Sequence, residues 1–336
     1  LQLAHSWRHT MFAAIEIGGT KLQLGLHCGE TADGRWVPWH DFRRRDVDPD
    51  SAAEGIRSQI IEVLSDWQND GIPIDAIGVG FGGPVNNGRV ITSHQISGWD
   101  DFPLAAWLTE TFDVATTDVA NDCDTAALAE ATHGVGQGSR TVFFVTVGTG
   151  VGGGLVIDGL VHGGQPAAGE IGHLRPGLLA ATARETVESV SSGWGIANTA
   201  RNRLRRGGAE TDSERQILTR AGSIDAVDAR LLAELAMSGN DVAREAIELG
   251  VRTLGWAIAQ VVTLVSPNVV VLGGGVSLMN EALFLNPLRR AVEQYVFPPL
   301  KESYRLLPAA LGEEVVVRGA LTLAGQAGTR KSRHNV

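Results

Sequence analysis

A short unit of strand, glycine-rich turn and strand occurs twice in the 336-residue chain. The first copy contains Ile17-Gly18-Gly19-Thr20-Lys21-Leu22, and the second contains Val147-Gly148-Thr149-Gly150-Val151-Gly152. The copies lie about 130 residues apart, one near the start of each half, as in a chain built from a duplicated domain. The sequence therefore predicts two α/β domains whose glycine turns face a central cleft, where a ligand binds.

The length of the chain agrees with two domains, because single hydrophobic cores stop growing at about 250–300 residues. Hydrophobic residues make up 43% of the sequence and charged residues 20%, which is typical of a globular protein in water. The formal net charge of −10 argues against nucleic-acid binding, which requires a basic surface. No apolar run approaches the roughly 20 residues of a membrane span. The two cysteines, Cys28 and Cys123, are expected to be free thiols in the cytoplasm.

Hydrophobic periodicity predicts how strands and helices alternate along the chain. Strands are predicted over residues 12–28, in two pieces joined at Gly18-Gly19, and over residues 36–44, 76–81, 113–119, 141–147, 154–157 and 268–272. Helices are predicted over residues 51–67, 103–112, 125–132, 224–237, 241–264, 281–295 and 318–327. The N-terminal domain is expected to comprise residues 12–118 and 318–328, and the C-terminal domain residues 119–317. Residues 1–11 are interpreted as an extension and residues 329–336 as a disordered tail.

The two glycine turns have the composition of phosphate-binding sites. Glycine lets a phosphate approach backbone N–H groups closely, while Thr20 and Thr149 add hydroxyls and Lys21 adds a positive charge. One such turn alone could be an ordinary hairpin. Two of them, with Gly273-Gly274-Gly275 after a third buried strand, favour a nucleotide site formed by Glu16, Gly18, Gly19, Thr20, Lys21, Thr149, Gly150, Gly273, Gly274 and Gly275.

Two other nucleotide-binding patterns do not fit the sequence. Gly148, Gly150 and Gly153 satisfy the dinucleotide fingerprint, but that motif must be followed by a helix facing the pyrophosphate. The predicted strand over residues 154–157 follows instead. A Walker P-loop requires a Gly-Lys pair, and the chain contains none.

Residues 16–21, Glu-Ile-Gly-Gly-Thr-Lys, resemble the first phosphate motif of the ROK family of repressors and kinases. The resemblance continues in family order through residues 78–99, 119–130, 146–154, 169–173 and 268–277, and spans the chain from residue 12 to about 327. It implies the two-domain α/β fold of actin and hexokinase, which is ribonuclease H-like, and an ATP-dependent sugar kinase that uses Mg²⁺. Family repressors carry a winged helix-turn-helix before the first motif. Only eleven residues precede the first strand here, and the chain is acidic, so a kinase is expected.

The resemblance also assigns roles to residues near the middle of the chain. It implies that Asp122 is the general base and that the sugar is bound by Gly83, Ser93, Asn121, Asp122, Glu170, His173 and Glu188. Asn121-Asp122 could instead be only a helix N-cap, for which both residue types are favoured. A helix N-terminus would keep Asp122 ionised, which limits its strength as a base.

The sequence departs from the family pattern at several positions. Family kinases commonly follow the histidine with a cysteine cluster that binds zinc, but residues 174–192 contain no cysteine. We therefore expect no structural zinc, and only Mg²⁺ bound with ATP. Glu16 and Asp124 replace an aspartate and an asparagine common in relatives, and Ser93-His94-Gln95 replaces an Asn-Leu pair.

The predicted reaction is phosphorylation of a hexose, with glucose as the first candidate and the 6-phosphate as the product. N-acetylmannosamine, fructose and allose are compatible with the same residues. A sugar-binding sensor without phosphoryl transfer is the main alternative, and an ATPase acting on a partner is another. The family resemblance implies a homodimer or homotetramer.

Overall fold

The structure is a computed structural model that describes residues 10–28, 37–93, 95–162, 168–176, 182, 184–207 and 210–334, the last six as backbone only. The chain forms two compact units. Unit 1 comprises Leu1–Gln137, Gly159–Ala168 and Leu311–Val336, and unit 2 comprises Gly138–Asp158 and Gly169–Ala310.

In chain order the strands are β1 (Phe12–Ile17), β2 (Lys21–His27), β3 (Asp41–Asp46), β4 (Ala76–Phe81), β5 (Val85–Asn86), β6 (Arg89–Val90), β7 (Thr116–Asn121), β8 (Thr141–Val147), β9 (Val151–Ile157), β10 (Leu160–Val161), β11 (Val269–Gly273) and β12 (Arg305–Pro308). The α-helices are α1 (Ala52–Asn69), α2 (Leu104–Phe112), α3 (Asp122–His133), α4 (Val187–Ser191), α5 (Gly193–Gly207), α6 (Asp212–Ala221), α7 (Ala229–Met237), α8 (Asp241–Val265), α9 (Leu285–Tyr295) and α10 (Val315–His334).

The sheet of unit 1 has the strand order β3-β2-β1-β4-β7. Strands β1 and β2 form an antiparallel hairpin, whereas β1, β4 and β7 run parallel, with Ile17, Phe81 and Asn121 in register. Helix α10 packs on β1, β4 and β7, so β4 is buried along its whole length. The contact is close, since a Cβ on Gly78 would lie 1.8 Å from the carbonyl oxygen of Ala320. Only glycine fits at position 78.

Unit 2 repeats this arrangement. Strands β9, β8, β11 and β12 lie side by side in that order, with β8 and β9 antiparallel and β8, β11 and β12 parallel. The same pattern joins β2, β1, β4 and β7 in unit 1, which confirms the duplicated α/β architecture predicted from the two turns. Among the described residues, α8 alone has the length and hydropathy of a membrane span. Its apolar side is buried against α4, α5, α7 and α9, as expected for a core helix.

Several predicted boundaries differ from the structure. Helix α3 begins at Asp122, before the predicted start at residue 125, because Asn121 Oδ1 accepts the backbone N–H groups of Cys123 (2.7 Å) and Asp124 (3.4 Å). Strand β7 correspondingly extends to Asn121. The tail predicted to be disordered over residues 329–336 is helical as far as His334, in a stretch where the good helix formers Arg330, Lys331 and Arg333 follow one another closely.

The predicted domain boundary after residue 118 also lies earlier than the change between units, which falls at Gln137/Gly138. The physical reason is that α3 packs on α10 within unit 1. Glu130 of α3 is fully buried, and its Oε2 and Oε1 accept the backbone N–H groups of Val135 and Leu311, each at 3.0 Å. The Glu130 carboxylate thus binds two segments of unit 1, and each of them lies next to a boundary between the units.

Candidate active site

The carboxyl ends of the three parallel strands of unit 1 meet at one edge of the sheet. Strand β1 leads into the turn at Gly18, β4 into Gly82-Gly83 and β7 into Asp122. The N–H of Gly82 donates to the carbonyl of Ile17 at 2.9 Å. A Cβ on Gly82 would lie 3.7 Å from Asp122 Oδ2 and 3.8 Å from Gly18 Cα. The first phosphate turn and the predicted base are therefore neighbours, at the sheet edge where open α/β sheets bind ligands.

Asp122 is the first residue of α3, and its side chain is half-buried. Its Oδ1 accepts the N–H of Cys123 at 2.8 Å. Burial raises the pKa of the Asp122 carboxyl, and hydrogen bonds from Cys123 and Asn121 oppose this increase only in part. The helix N-terminus was expected to limit the basicity of Asp122, but burial has the larger effect. A carboxylate with a raised pKa is a stronger acceptor for a substrate proton.

Asn121 uses most of its hydrogen-bonding capacity inside the protein. Its Oδ1 caps α3, as described above, and its Nδ2 donates to the carbonyl of Gly83 at 3.1 Å. An asparagine amide offers two N–H donors and one carbonyl acceptor. Asn121 therefore fixes Gly83 and the start of α3 relative to each other, which joins three predicted sugar-binding residues, Gly83, Asn121 and Asp122, in one group.

Glu16 and Lys21 form an ion pair across the first phosphate turn, with Lys21 Nζ 3.2 Å from Glu16 Oε1. Glu16 is 7% exposed, and its Oε2 has no hydrogen-bond partner. Burial raises the pKa of Glu16, Lys21 lowers it, and the negative charge of Asp122 raises it further. A buried carboxylate with an unpaired oxygen is the kind of donor that Mg²⁺ prefers, so Glu16 fits the metal implied by the predicted chemistry.

Ser93 lies in the loop that contacts the same turn. Its Oγ accepts the N–H of Ile96 at 3.2 Å. The carboxamide of Gln95 rests on Gly19, where an added Cβ would lie 1.6 Å from Gln95 Oε1. His94, singled out as a departure from the family pattern, lies outside the described residues. Gln95 was not predicted to be a site residue, although the sequence pointed to its segment.

The second phosphate turn joins β8 to β9 in unit 2. The N–H of Gly148 donates to the carbonyl of Gly150 at 2.9 Å, and the carbonyl of Gly148 accepts the N–H of Gly193 at 2.8 Å. The third glycine segment adjoins it, because Gly273 pairs with Thr146. Gly274 has φ of +87°, and a Cβ there would lie 2.5 Å from the carbonyl oxygen of Val147. The structure thus brings together the predicted phosphate-binding residues of unit 2.

A cavity of about 830 Å³ lies beside these turns in unit 2. Its volume is within the range of small-molecule sites. Gly148, Thr149 and Gly275 lie at its wall, and the rest of the wall is largely apolar, with contributions from Trp194, Ala197, Ala229, Ala233, Val276, Leu278 and Met279. Trp194 is 41% exposed, which is unusual for so large an aromatic residue. Sequence reasoning missed this cavity, and Trp194 between Gly193 and Gly195 was the available signal.

Glu170, His173 and Glu188 lie close to the second turn. Ile171–His173 forms a 3₁₀ turn, in which the carbonyl of Glu170 accepts the N–H of His173 at 3.1 Å. Residues three apart in such a turn lie on the same side, so Glu170 and His173 can face one ligand. Glu188 lies in α4, and its Oε2 accepts the N–H of Val151 at 2.9 Å. In the part of the chain that the structure describes, no three His, Cys, Asp or Glu side chains form a metal site.

The ROK family model matches residues 12–327. The chain belongs to the ROK family. It is 31% identical to a glucokinase of Halalkalibacterium halodurans over 94% of this chain and 95% of the relative. It is also 31% identical to an N-acetylmannosamine kinase of Escherichia coli, over 91% of this chain and 98% of the relative.

Solved structures confirm the predicted actin/hexokinase-like fold. A ROK glucokinase of Streptomyces griseus, solved with glucose and AMPPNP, is 28% identical with a TM-score of 0.72, over 94% of this chain and 99% of that chain. The ROK hexokinase of Thermus thermophilus is 27% identical with a TM-score of 0.77, over 96% of this chain and 100% of that chain.

Proposed function

We propose that the protein is an ATP-dependent kinase that phosphorylates a hexose of the glucose type, giving the 6-phosphate. The position of Asp122 is the observation that carries the proposal. Its carboxylate, whose pKa is raised by burial, adjoins the glycine turn predicted to hold phosphate. A base beside a phosphate site is what transfer to an alcohol requires, because the hydroxyl must lose its proton as the new P–O bond forms.

In this proposal Asp122 accepts the proton of the sugar 6-hydroxyl, which then attacks the γ-phosphorus of ATP while the bond to the β–γ bridging oxygen breaks. In unit 1, Asn121, Gly83 and Ser93 orient the sugar. In unit 2, Glu170, His173 and Glu188 are the proposed sugar ligands, because carboxylates and imidazole can each direct several hydrogen bonds to hydroxyls. ADP leaves as the second product.

The phosphates of ATP are assigned to the glycine turns, with Lys21 supplying positive charge. The cavity of unit 2 is assigned to the nucleoside, since its apolar wall and the exposed face of Trp194 suit a planar base. Glu16 would hold Mg²⁺, which on binding neutralises phosphate charge. Thr149, Gly150 and the segment Gly273–Gly275 would present backbone N–H groups and a hydroxyl to the phosphates.

Glucose is proposed first among the candidate sugars, because glucokinases occur among the relatives. An N-acetylmannosamine kinase has the same 31% identity to this chain, so that sugar is the first competitor, followed by fructose and allose. Because ATP is the proposed phosphoryl donor, the cytoplasm is the location that we propose for this activity. Assembly as a homodimer or homotetramer remains a prediction from the family resemblance.

The experiment that tests the proposal is coupled ADP release with Mg-ATP against a panel of hexoses, amino sugars and N-acetyl sugars. Release that depends on one sugar, and that is lost in the Asp122→Asn variant, supports the kinase and identifies its substrate. A sugar that raises the melting temperature without stimulating ADP release would instead support the sensor. Sugar-independent ADP release would contradict both.

A further inference from the structure

The backbone of Val151 is held on both sides by the segments that carry the proposed sugar ligands of unit 2. Val151 is the first residue after the second phosphate turn. Its N–H donates to Glu188 Oε2 at 2.9 Å. Its carbonyl faces Gly172, where an added Cβ would lie 1.9 Å from the oxygen. Gly172 lies between Glu170 and His173 in the chain, so the second phosphate turn and the segments that carry the proposed sugar ligands are packed directly against each other.

The carboxylate of Glu188 also lies along the turn itself. A Cβ on Gly150 would lie 2.6 Å from Glu188 Oε2, so the carboxylate occupies the space that the absent side chain of Gly150 leaves beside the turn. Helix α4 is fixed at its start by a capping box between Thr186 and Ser189. The N–H of Val187 donates to the carbonyl of Leu174, next to His173, at 2.8 Å. Glu188 is thus held firmly, and it joins the His173 segment to the phosphate turn.

A negative charge at this place opposes the binding of a triphosphate. The carboxylate repels the phosphates and engages a backbone N–H group at the end of the turn. A sugar hydroxyl that donates a hydrogen bond to Glu188 would disperse part of the carboxylate charge. It would also fix the position of Glu188 Oε1, the oxygen that does not bind Val151. Occupation of the sugar site would therefore make the turn a better phosphate site.

We propose that Glu188 couples sugar binding in unit 2 to the affinity of the Gly148-Thr149-Gly150 turn for ATP. The inference rests on the proposed function, in which Glu188 contacts the sugar. Its consequence is that ATP binds weakly until a sugar is present, which limits hydrolysis by water.

The test is to measure the Kd of Mg-AMPPNP calorimetrically, without sugar and with the hexose selected by the ADP-release assay at saturation. In the wild type we expect the hexose to lower the Kd by about fivefold or more, the lower end of ordinary coupling between sites. In Glu188→Gln, which removes the charge, we expect tighter nucleotide binding without sugar and a ratio of the two Kd values near 1. In Glu188→Asp, which keeps the charge but shortens the side chain, we expect weak sugar-free binding to persist while the ratio falls.

Glu248→Gln is the matched control, because Glu248 is an exposed carboxylate on α8, and its ratio should equal that of the wild type. A Glu188→Gln variant that keeps the wild-type ratio overturns the inference. A wild-type protein that phosphorylates a hexose, but binds Mg-AMPPNP equally with and without it, overturns the coupling and leaves the kinase standing. A wild-type protein that responds to no hexose in either assay overturns both proposals.

Discussion

Glu16 Oε1 lies 3.2 Å from Lys21 Nζ, while Oε2 of the same buried carboxylate has no hydrogen-bond partner. Lys21 Nζ also lies 3.4 Å from the carbonyl oxygen of Glu313. The lysine is thus held at the phosphate turn by groups on two segments of unit 1. The electrostatic interaction between Glu16 and Asp122 raises the pKa of Glu16, and the effect on Asp122 is reciprocal because Coulomb interactions are mutual. The proposed base and the proposed metal ligand are therefore electrostatically linked.

The electrostatic link between Glu16 and Asp122 should be visible in the pH profiles of Glu16 variants. Replacing Glu16 with Gln removes a negative charge near Asp122 and should lower the pKa of Asp122. The acidic limb of the pH profile of kcat/KM, measured at saturating Mg²⁺, should then move to lower pH. Glu16→Asp keeps the charge and should leave the limb near its wild-type position. An acidic limb at the same pH in all three proteins would show that Glu16 does not affect the base.

Asp122→Asn should lower kcat by about 10²–10⁴, the usual contribution of a general base. The affinity for sugar should change little, because the amide oxygen can still accept the N–H of Cys123. Steady-state kinetics give the loss of turnover, and calorimetric titration of the sugar gives the affinity. A variant with kcat near that of the wild type would remove Asp122 from the role of base.

The same substitution should raise the free energy of unfolding at neutral pH. The pKa of Asp122 is raised in the folded protein above its ordinary value of 3.8, so the folded state binds more protons than the unfolded state between these two values. Stability from this group is therefore greatest below pH 3.8 and is lost as the pH rises through the folded pKa. Urea unfolding at several pH values should show a gain for Asp122→Asn that disappears toward pH 3.8.

Asp70→Asn provides the control for that measurement. Asp70 is exposed at the end of α1, so its substitution should give no gain that grows with pH. A loss of stability in Asp122→Asn at neutral pH would contradict the argument from burial.

Asn121→Ser separates a positioning role from direct sugar binding. Serine can still cap α3, but it lacks the N–H that donates to Gly83 at 3.1 Å. Since one hydrogen bond is worth about 0.5–1.5 kcal/mol, we expect kcat to fall about three- to tenfold. The hydrogen bond from Asn121 lowers the pKa of Asp122. Its loss should therefore move the acidic limb of the pH profile of kcat/KM to higher pH. An increase in KM for the sugar with unchanged kcat and pH profile would show that Asn121 acts as a sugar ligand only.

Trp194→Ala tests the assignment of the cavity. If the indole stacks on the base of ATP, its removal should cost about 1–3 kcal/mol of nucleotide affinity and leave the KM for sugar unchanged. Trp194→Phe retains an aromatic face and should lose much less. Direct titration with Mg-ADP measures the affinity, and equal values for wild type and Trp194→Ala would place the base elsewhere.

The sequence was most informative where function depends on consecutive residues. The two glycine turns and the buried strands before them were found from local patterns, because turn geometry is set by neighbours in the chain. The roles of Asn121 and Asp122 came from the family resemblance, since the local pattern alone indicated only a helix N-cap. The start of α3 was missed by three residues, although its cap had been recognised. Asn121 is both the last residue of β7 and the N-cap of α3. Hydrophobic periodicity alone does not show where the strand ends and the helix begins.

Features formed by distant residues were not predictable in the same way. Trp194, Ala229 and Met279 line one cavity but come from three separate segments, and no spacing pattern connects them. Glu130 is fully buried and accepts the N–H groups of Val135 and Leu311, and the helical pattern over residues 125–132 gives no sign of either contact. The raised pKa of Asp122 also depends on the packing around it, so the sequence revealed only the opposing effect of the helix N-terminus.

The packing of α10 on the sheet of unit 1 has a consequence for synthesis of the chain. His133 Nε2 and Thr322 Oγ1 lie 3.1 Å apart, although 189 residues separate them. At about 5–20 residues per second, the ribosome needs on the order of 10–40 s to make the chain between them. During that interval the nascent strands β1, β4 and β7 lack the helix that covers them. All of unit 2 is translated in the same interval. Unit 1 is therefore completed only after unit 2, and until then its sheet lacks the helix that buries β4.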